Sequence, residues 1–265
     1  MPVKKDASGR RSVQAEVEVP GTPEEVWQAI ATGPGISSWF VPSEVEGRVG
    51  GAAVSHFGPG NSMDSGGVIK TWEPPRRFVV ETQEGPGPVA SEWTVETRSG
   101  GTCVVRVVHS WFASSDDWDG QFEGHEHGWR AFFNILRLVL AHFRGEPCAA
   151  FQLMGVAPEP KEKAWGILAG PLGFAGAAQG KRVTAGSGTP RLAGLVEETG
   201  PSEHPEGLLL RLDEPAPGLA HFFALPMGGS VYMIVRFYLF GSAAAAVAAR
   251  EQAGWQSWLE ARFPT

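Results

Sequence analysis

The chain has little positive charge. Six of its 265 residues are lysines, and 22 Lys and Arg stand against 29 Asp and Glu, a formal net charge of −7. Affinity for phosphate backbones comes from Lys and Arg, so this balance argues against nucleic acid as a partner. The one basic cluster, Lys4, Lys5, Arg10 and Arg11, falls in residues 1–11, which read as a disordered tail. There are two cysteines, Cys103 and Cys148, and they form neither a disulfide framework nor a metal motif. No apolar run is long enough to span a membrane. The opening MPVKKDASGRRS lacks the apolar core of a secretory signal. A reduced, cytoplasmic setting is therefore expected, with no cofactor and no metal.

What is present is core and punctuation. Hydrophobic residues make up 42% of the chain, and 35 glycines and 21 prolines imply many turns between short elements. Two stretches echo each other. Glu24-Glu25-Val26-Trp27 through Gly33-Pro34 returns as Glu162-Lys163-Ala164-Trp165 through Gly170-Pro171, and Gly128-Trp129 returns as Gly254-Trp255. The order is kept and the second copy is shorter, so two copies of one domain are expected.

Ser12–Val19 alternates apolar and polar residues, the pattern of a half-buried strand. Thr22, Pro23 and Glu25 then form a helix start, with Thr22 as N-cap and Glu25 closing a capping box. The helix is expected to stop at Gly33-Pro34, before a short helix or turn bearing Ile36, Trp39 and Phe40. Strands are expected at 52–57, 67–72, 77–82, 91–97 and 102–112, broken by Pro74-Pro75, Gly85-Pro86-Gly87-Pro88 and Ser99-Gly100-Gly101. From Trp129 the apolar period changes to 3.6, through Phe132, Phe133, Leu136, Val139, Leu140 and Phe143, which predicts a helix of about four turns. The second half is expected to repeat this plan: a strand at 150–156, the Trp165 helix, strands at 191–197, 208–212, 219–224 and 231–240, and a final helix at 243–262. The stretch 166–189, rich in Gly and Ala, reads as including a long loop. The domains read as 12–147 and 148–265.

This order, strand, two short helices, antiparallel meander, long helix, resembles the helix-grip fold of the SRPBCC/START-like superfamily. The motifs most resemble the branch named after the C-terminal domain of the activator of the heat-shock-protein-90 ATPase. They are Pro23-Glu24-Glu25-Val26-Trp27, Gly33-Pro34 through Trp39-Phe40, Gly67 through Trp72-Glu73-Pro74-Pro75-Arg76-Arg77-Phe78, and His127-Gly128-Trp129. The resemblance implies an α+β chain of tandem helix-grip domains, each a curved antiparallel sheet wrapped around a long C-terminal helix. The second half keeps only the two Trp helices and lacks the Pro-Pro-Arg-Arg-Phe element, so it reads as a diverged copy.

If that geometry holds, strand alternation selects the residues facing the cavity between sheet and helix. They are Phe78 and Val80, Trp93 and Val95, then Cys103, Val105, Val107, His109 and Trp111. Trp39 and Phe40 join them, and Trp129, Phe132, Phe133 and Leu136 close the cavity from the helix. An aromatic pocket with few polar groups suits a small apolar ligand. His109 is the candidate catalytic residue, as a general acid or base.

Other chemistry is weaker. His125-Glu126-His127 lacks the spacing of a zinc helix, and Asp116-Asp117-Trp118-Asp119 reads as a solvated turn. Gly176 through Lys181-Arg182 mimics a phosphate loop but is one residue short and ends in Arg182 where Ser or Thr is needed. The strand Val231–Phe240 is apolar on both faces, which predicts an interdomain or homodimer contact through it. The function expected is binding of a lipid- or polyketide-like small molecule in the first domain. An aromatase/cyclase- or hydrolase-type enzyme using His109, His56 or Thr82, and a chaperone-accessory or regulatory protein, are the alternatives.

Overall fold

The computed structural model describes residues 3–58, 63–84, 87–112, 119–158, 160–202 and 205–264, the side chains of 119–127 apart. The Asp116-Asp117-Trp118 turn, Gly85-Pro86 and the His125-Glu126-His127 side chains lie outside the described residues. The chain divides into two units, Met1–Gly145 and Glu146–Thr265. Each is α+β with one antiparallel sheet, and together they make a tandem helix-grip architecture.

The first unit runs β1 (Lys4–Lys5), β2 (Arg10–Pro20), α1 (Pro23–Ala31), α2 (Gly33–Ser37), β3 (Ser43–Val45), β4 (Ala52–His56), β5 (Asp64–Glu73), β6 (Arg77–Glu84), β7 (Gly87–Arg98), β8 (Thr102–Phe112) and α3 (Asp119–His142). Its sheet order is β1-β2-β8-β7-β6-β5-β4-β3, so the first long strand pairs with the last and the rest is a meander. The helix α3 packs along β2.

Local chemistry explains these elements. At α1 the Thr22 hydroxyl accepts from Glu25 N (3.3 Å) and the Glu25 carboxylate accepts from Thr22 N (2.8 Å), the reciprocal capping box. Arg144, just past α3, donates to the same carboxylate at 2.9 Å and ties the two helices together. The backbone hydrogen bond from Thr22, more than Arg144, lowers the Glu25 pKa.

Two expectations need correction and one is sharpened. The first helix stops before Gly33-Pro34 as expected, and Gly33-Pro34 opens the short helix that follows. Thr32 ends α1 and caps α2, and Pro34 sits in the first turn of α2, where a missing N–H costs nothing. Gly35 is required there, because a Cβ would lie 2.0 Å from the Gln28 carbonyl oxygen of α1. Residues 4–11 are not a tail: Asp6 accepts from Ser8 N and Arg10 N, Gly9 takes φ 82°, and β1 folds back on β2. Finally, α3 begins at Asp119, ten residues before Trp129. Gly120, Gly124 and Gly128 interrupt any apolar period over that stretch, so its helicity left no stripe in the sequence.

The second unit runs β9 (Cys148–Ala157), α4 (Lys161–Ala169), β10 (Arg182–Thr184), β11 (Ala193–Thr199), β12 (Gly207–Glu214), β13 (Gly218–Met227), β14 (Ser230–Phe240) and α5 (Ala244–Glu260). The order β10-β11-β12-β13-β14-β9 again pairs the first strand with the last. A strand follows Lys181, not a helix, so the phosphate-loop mimic is excluded, and Arg182 instead pairs with Asp213 at 2.5 Å.

The opposite face of this second sheet carries a polar row, Gln152–Arg236–His221, across β9, β14 and β13. The Arg236 Nε donates to the Gln152 side-chain oxygen, and its guanidinium lies 5.0 Å from the Phe223 ring centroid. His221 stacks on Phe223 at 4.7 Å, and its Nδ1 is buried with no hydrogen-bond partner. Burial, with Arg236 adding to it, pushes the imidazole from 6.5 down to about 3. The folded pKa is below the unfolded one, so stability falls as pH drops from 6.5 towards 3. At pH 5 the loss should be roughly 1–2 kcal/mol, the smaller figure reflecting the partly accessible ring. His221→Leu should flatten this segment of a stability-against-pH curve; an unchanged slope would contradict the reading.

Candidate functional site

Strand register builds the inner wall of the first unit. One row across β2, β8, β7, β6 and β5 is Val13–His109–Ser91–Val80–Ile69. The next is Ala15–Val107–Trp93–Phe78–Trp72. The intervening residues form the opposite face, a ladder of charge in which Arg106 pairs with Glu16 and Glu96 at 3.0 Å each and Arg77 with Glu92 at 2.6 Å. The apolar and charged faces fix the register, since a one-residue slip would exchange them.

The Trp72-Glu73-Pro74-Pro75-Arg76-Arg77-Phe78 motif is the β5–β6 hairpin. It sets Trp72 opposite Phe78, and both rings pack on Trp27 of α1, at 5.0 and 5.5 Å. This cluster is the floor of the wall. Trp39 is a second anchor: 1% exposed, its indole N–H donates to the Ala29 carbonyl at 2.9 Å, closing the segment after α2 onto α1.

The eleven residues singled out in the sequence fall into two groups. Trp39, Phe78, Val107, Trp111, Phe132, Phe133 and Leu136 are buried. Val107 and Leu136 are pure core, and Trp111 packs with Val13 and Val89. Phe40, Trp93, His109 and Trp129 also face inward but keep part of their surface accessible. These four meet around one ring: Trp129 stacks on Phe40 (5.6 Å, 3°), lies edge-on to Trp93 (5.3 Å) and covers His109 (5.5 Å, 29°). Inward-facing rings that stay accessible mark a surface no core side chain fills.

Sequence reasoning missed two members. Phe57 closes edge-on to Phe40 at 5.6 Å. Ser91 places its hydroxyl 2.8 Å from His109 Nδ1. Its parity with Trp93 and Val95 was the available signal. The other polar candidates lie elsewhere. His56 is on the opposite sheet face from Ser55, with Nδ1 2.9 Å from Asp64 and Nε2 3.9 Å from Glu44. Thr82 donates to Glu84 at 3.0 Å, near the end of β6.

Neither thiol offers a nucleophile. Cys103 is buried and its Sγ–H donates to Gly21 O, and burial raises its pKa; burial pushes Cys148 up to about 12. Among the described residues, no three His, Cys, Asp or Glu side chains gather as metal ligands, and no helix is long and apolar enough to cross a membrane.

The second unit is built differently inside. Phe151, Phe174, Phe222, Phe237, Trp255 and Trp258 are buried in one cluster with α5, and Trp165 packs against it partly buried. Trp255 lies 5.1 Å from Phe237 and 5.6 Å from Trp258. The position matching Trp129 is thus filled core.

Residues 20–141 match the model of the family described as Activator of Hsp90 ATPase homolog 1-like protein. None of the curated proteins matches the chain. Among solved structures, the di-domain ARO/CYC BexL of the BE-7585A biosynthetic pathway is 12% identical, over 96% of this chain and 99% of that one, with TM-score 0.46. DynU16 of the dynemicin biosynthetic locus is 17% identical over 94% and 95%, with TM-score 0.43. CalU16 of Micromonospora echinospora is 20% identical over 53% and 83%, with TM-score 0.42. Through its first unit, the chain resembles the helix-grip superfamily in the branch of the Hsp90 ATPase activator.

Proposed function

We propose that the first unit binds a flat apolar or aromatic small molecule against Phe40, Trp93, His109 and Trp129. One observation carries this reading: four ring-bearing side chains face the interior and remain accessible, whereas Trp255, the match of Trp129 in the second unit, is buried with Phe151, Phe222, Phe237 and Trp258. Aromatic faces favour offset or edge-on rings, and such contacts add to the gain from burying area. The polar content of the wall is small, which favours binding over reaction. The family description names a chaperone activator, but likeness of fold does not establish a role.

The test is a thermal-shift and tryptophan-fluorescence survey of the full chain with lipids, flat aromatic hydrocarbons and their hydroxylated forms. The expected result is saturable quenching and a raised Tm with flat aromatics, by about 2.7 kcal/mol of stabilisation at a hundredfold excess over Kd. A panel without any hit would overturn the reading.

A further inference from the structure

Phe57 stands at one end of the aromatic wall, and its place there is fixed from several sides. Its ring meets Phe40 at 5.6 Å and 90°, whereas Phe40 and Trp129 lie parallel within 3°. A flat molecule lying along the parallel rings therefore finds a ring standing across it at this end. Phe57 and Phe40 are both partly accessible, although Trp39, next to Phe40, is buried. The residues of the same face nearest Phe57 are short: Ser55 on its own strand, and Ser65 opposite on β5.

The chain around Phe57 is tied to the segments on either side of β4. His56 N donates to Pro42 O at 2.9 Å, two residues from Phe40, and Phe57 N donates to Met63 O at 3.3 Å. On the outer face the His56 imidazole spans the same two sides. Its Nδ1 lies 2.9 Å from Asp64 of β5 and its Nε2 3.9 Å from Glu44 of β3. Successive side chains of a strand point to opposite faces, so holding His56 on the outer face holds Phe57 on the inner one.

We propose that Phe57 is the size-determining residue of the aromatic site and limits the length of the flat fused-ring molecule it takes. His56 is a positioning residue acting through Phe57. The proposal rests on the first unit being a binding site for aromatic molecules. A ring held by backbone bonds on both sides and by a side-chain pair resists displacement, and a longer ligand must strain it. Without that ring the wall continues onto Ser55 and Ser65, where one more fused ring can be buried.

The experiment measures the Kd of the full chain for naphthol and for anthrol, its three-ring homologue, by tryptophan quenching, and reads their ratio. Phe57→Ala should move the ratio towards anthrol by about tenfold relative to wild type, the scale of a size change in an apolar pocket. Phe57→Leu, which keeps apolar bulk for folding, should move it the same way by about threefold. His56→Ala should also move it by about threefold, and His56→Asn, which keeps a side-chain donor for Asp64, should restore the wild-type ratio. A histidine that served only stability would shift both constants together and leave the ratio alone. With both probes still bound, an unchanged ratio in Phe57→Ala and Phe57→Leu would overturn the size limit, and an unchanged ratio in His56→Ala would overturn the positioning role. Either result leaves the binding reading intact. Binding of neither probe to wild type would overturn both.

Discussion

Replacing Trp39 by alanine is expected to cost the first unit about 4 kcal/mol, the range for deleting a fully buried aromatic side chain. The residue is 1% exposed, and its ring lies within 6.4 Å of Phe40, Trp93 and Phe133. Removing it opens a cavity beneath the wall and deletes the hydrogen bond to the Ala29 carbonyl at the end of α1. Trp39→Phe keeps most of the apolar area but loses that donor, so roughly 1–2 kcal/mol should go. Urea unfolding of both variants gives the comparison. The transition must be followed with a probe in the first unit, because two units need not unfold together. A loss below about 1 kcal/mol in Trp39→Ala would contradict the assignment of Trp39 as a structural anchor.

Trp129→Ala should behave in the opposite way. The ring is partly accessible, so stability should fall by only about 1–2 kcal/mol. Affinity for flat aromatic probes should fall by about thirtyfold or more, because this indole touches the accessible rings of Phe40, Trp93 and His109 together. It stacks on Phe40, meets Trp93 edge-on, covers His109 and leans on Phe133 at 5.4 Å. Phe112→Ala is the control. It removes a ring that is 62% exposed on the opposite sheet face, and both constants should stay unchanged. Equal loss of affinity in the two variants would mean that the quenching reports something other than the inner wall.

These two tryptophans show how far the sequence could be read. Alternation in Thr102–Phe112 assigned Cys103, Val105, Val107, His109 and Trp111 to one face, and the register places them there. Alternation reports a face and not a depth. Val107 is sealed while His109, two residues on, is accessible, and nothing in the strand itself separates them. Depth is set by what the opposite layer brings, here the rings of Trp129, Phe132 and Phe133. The capping box at Thr22 and Glu25 was legible because it is local chemistry at fixed spacing. The inward face of Ser91 was open to reading from its parity with Trp93, but its contact with His109 was not, because cross-strand pairing requires the register. The β1–β2 hairpin was hidden by its charge: Lys4, Lys5, Arg10 and Arg11 read as solvated, yet Asp6 and Gly9 encode a turn.

The repeat shows the same division. Two Trp helices kept in order pointed to two copies of one plan, and both sheets do pair their first long strand with their last. The fate of the interior was not legible at those positions. Trp129 and Trp255 occupy equivalent places in the sequence pattern, yet the second is 0% exposed and packs on Phe222 and Phe237. The apolar replacements that fill the second interior are spread over β9, β13, β14 and α5, too dispersed to be seen before those elements are brought together.

The most direct test uses the indole N–H resonances of the full chain, which carries ten tryptophans. Titration with a flat aromatic probe such as naphthol should shift the Trp93 and Trp129 signals progressively and to saturation, and leave Trp165, Trp255 and Trp258 in place. Shifts confined to Trp255 and Trp258, or no saturable shift at Trp93 and Trp129, would contradict the first unit as the binding site.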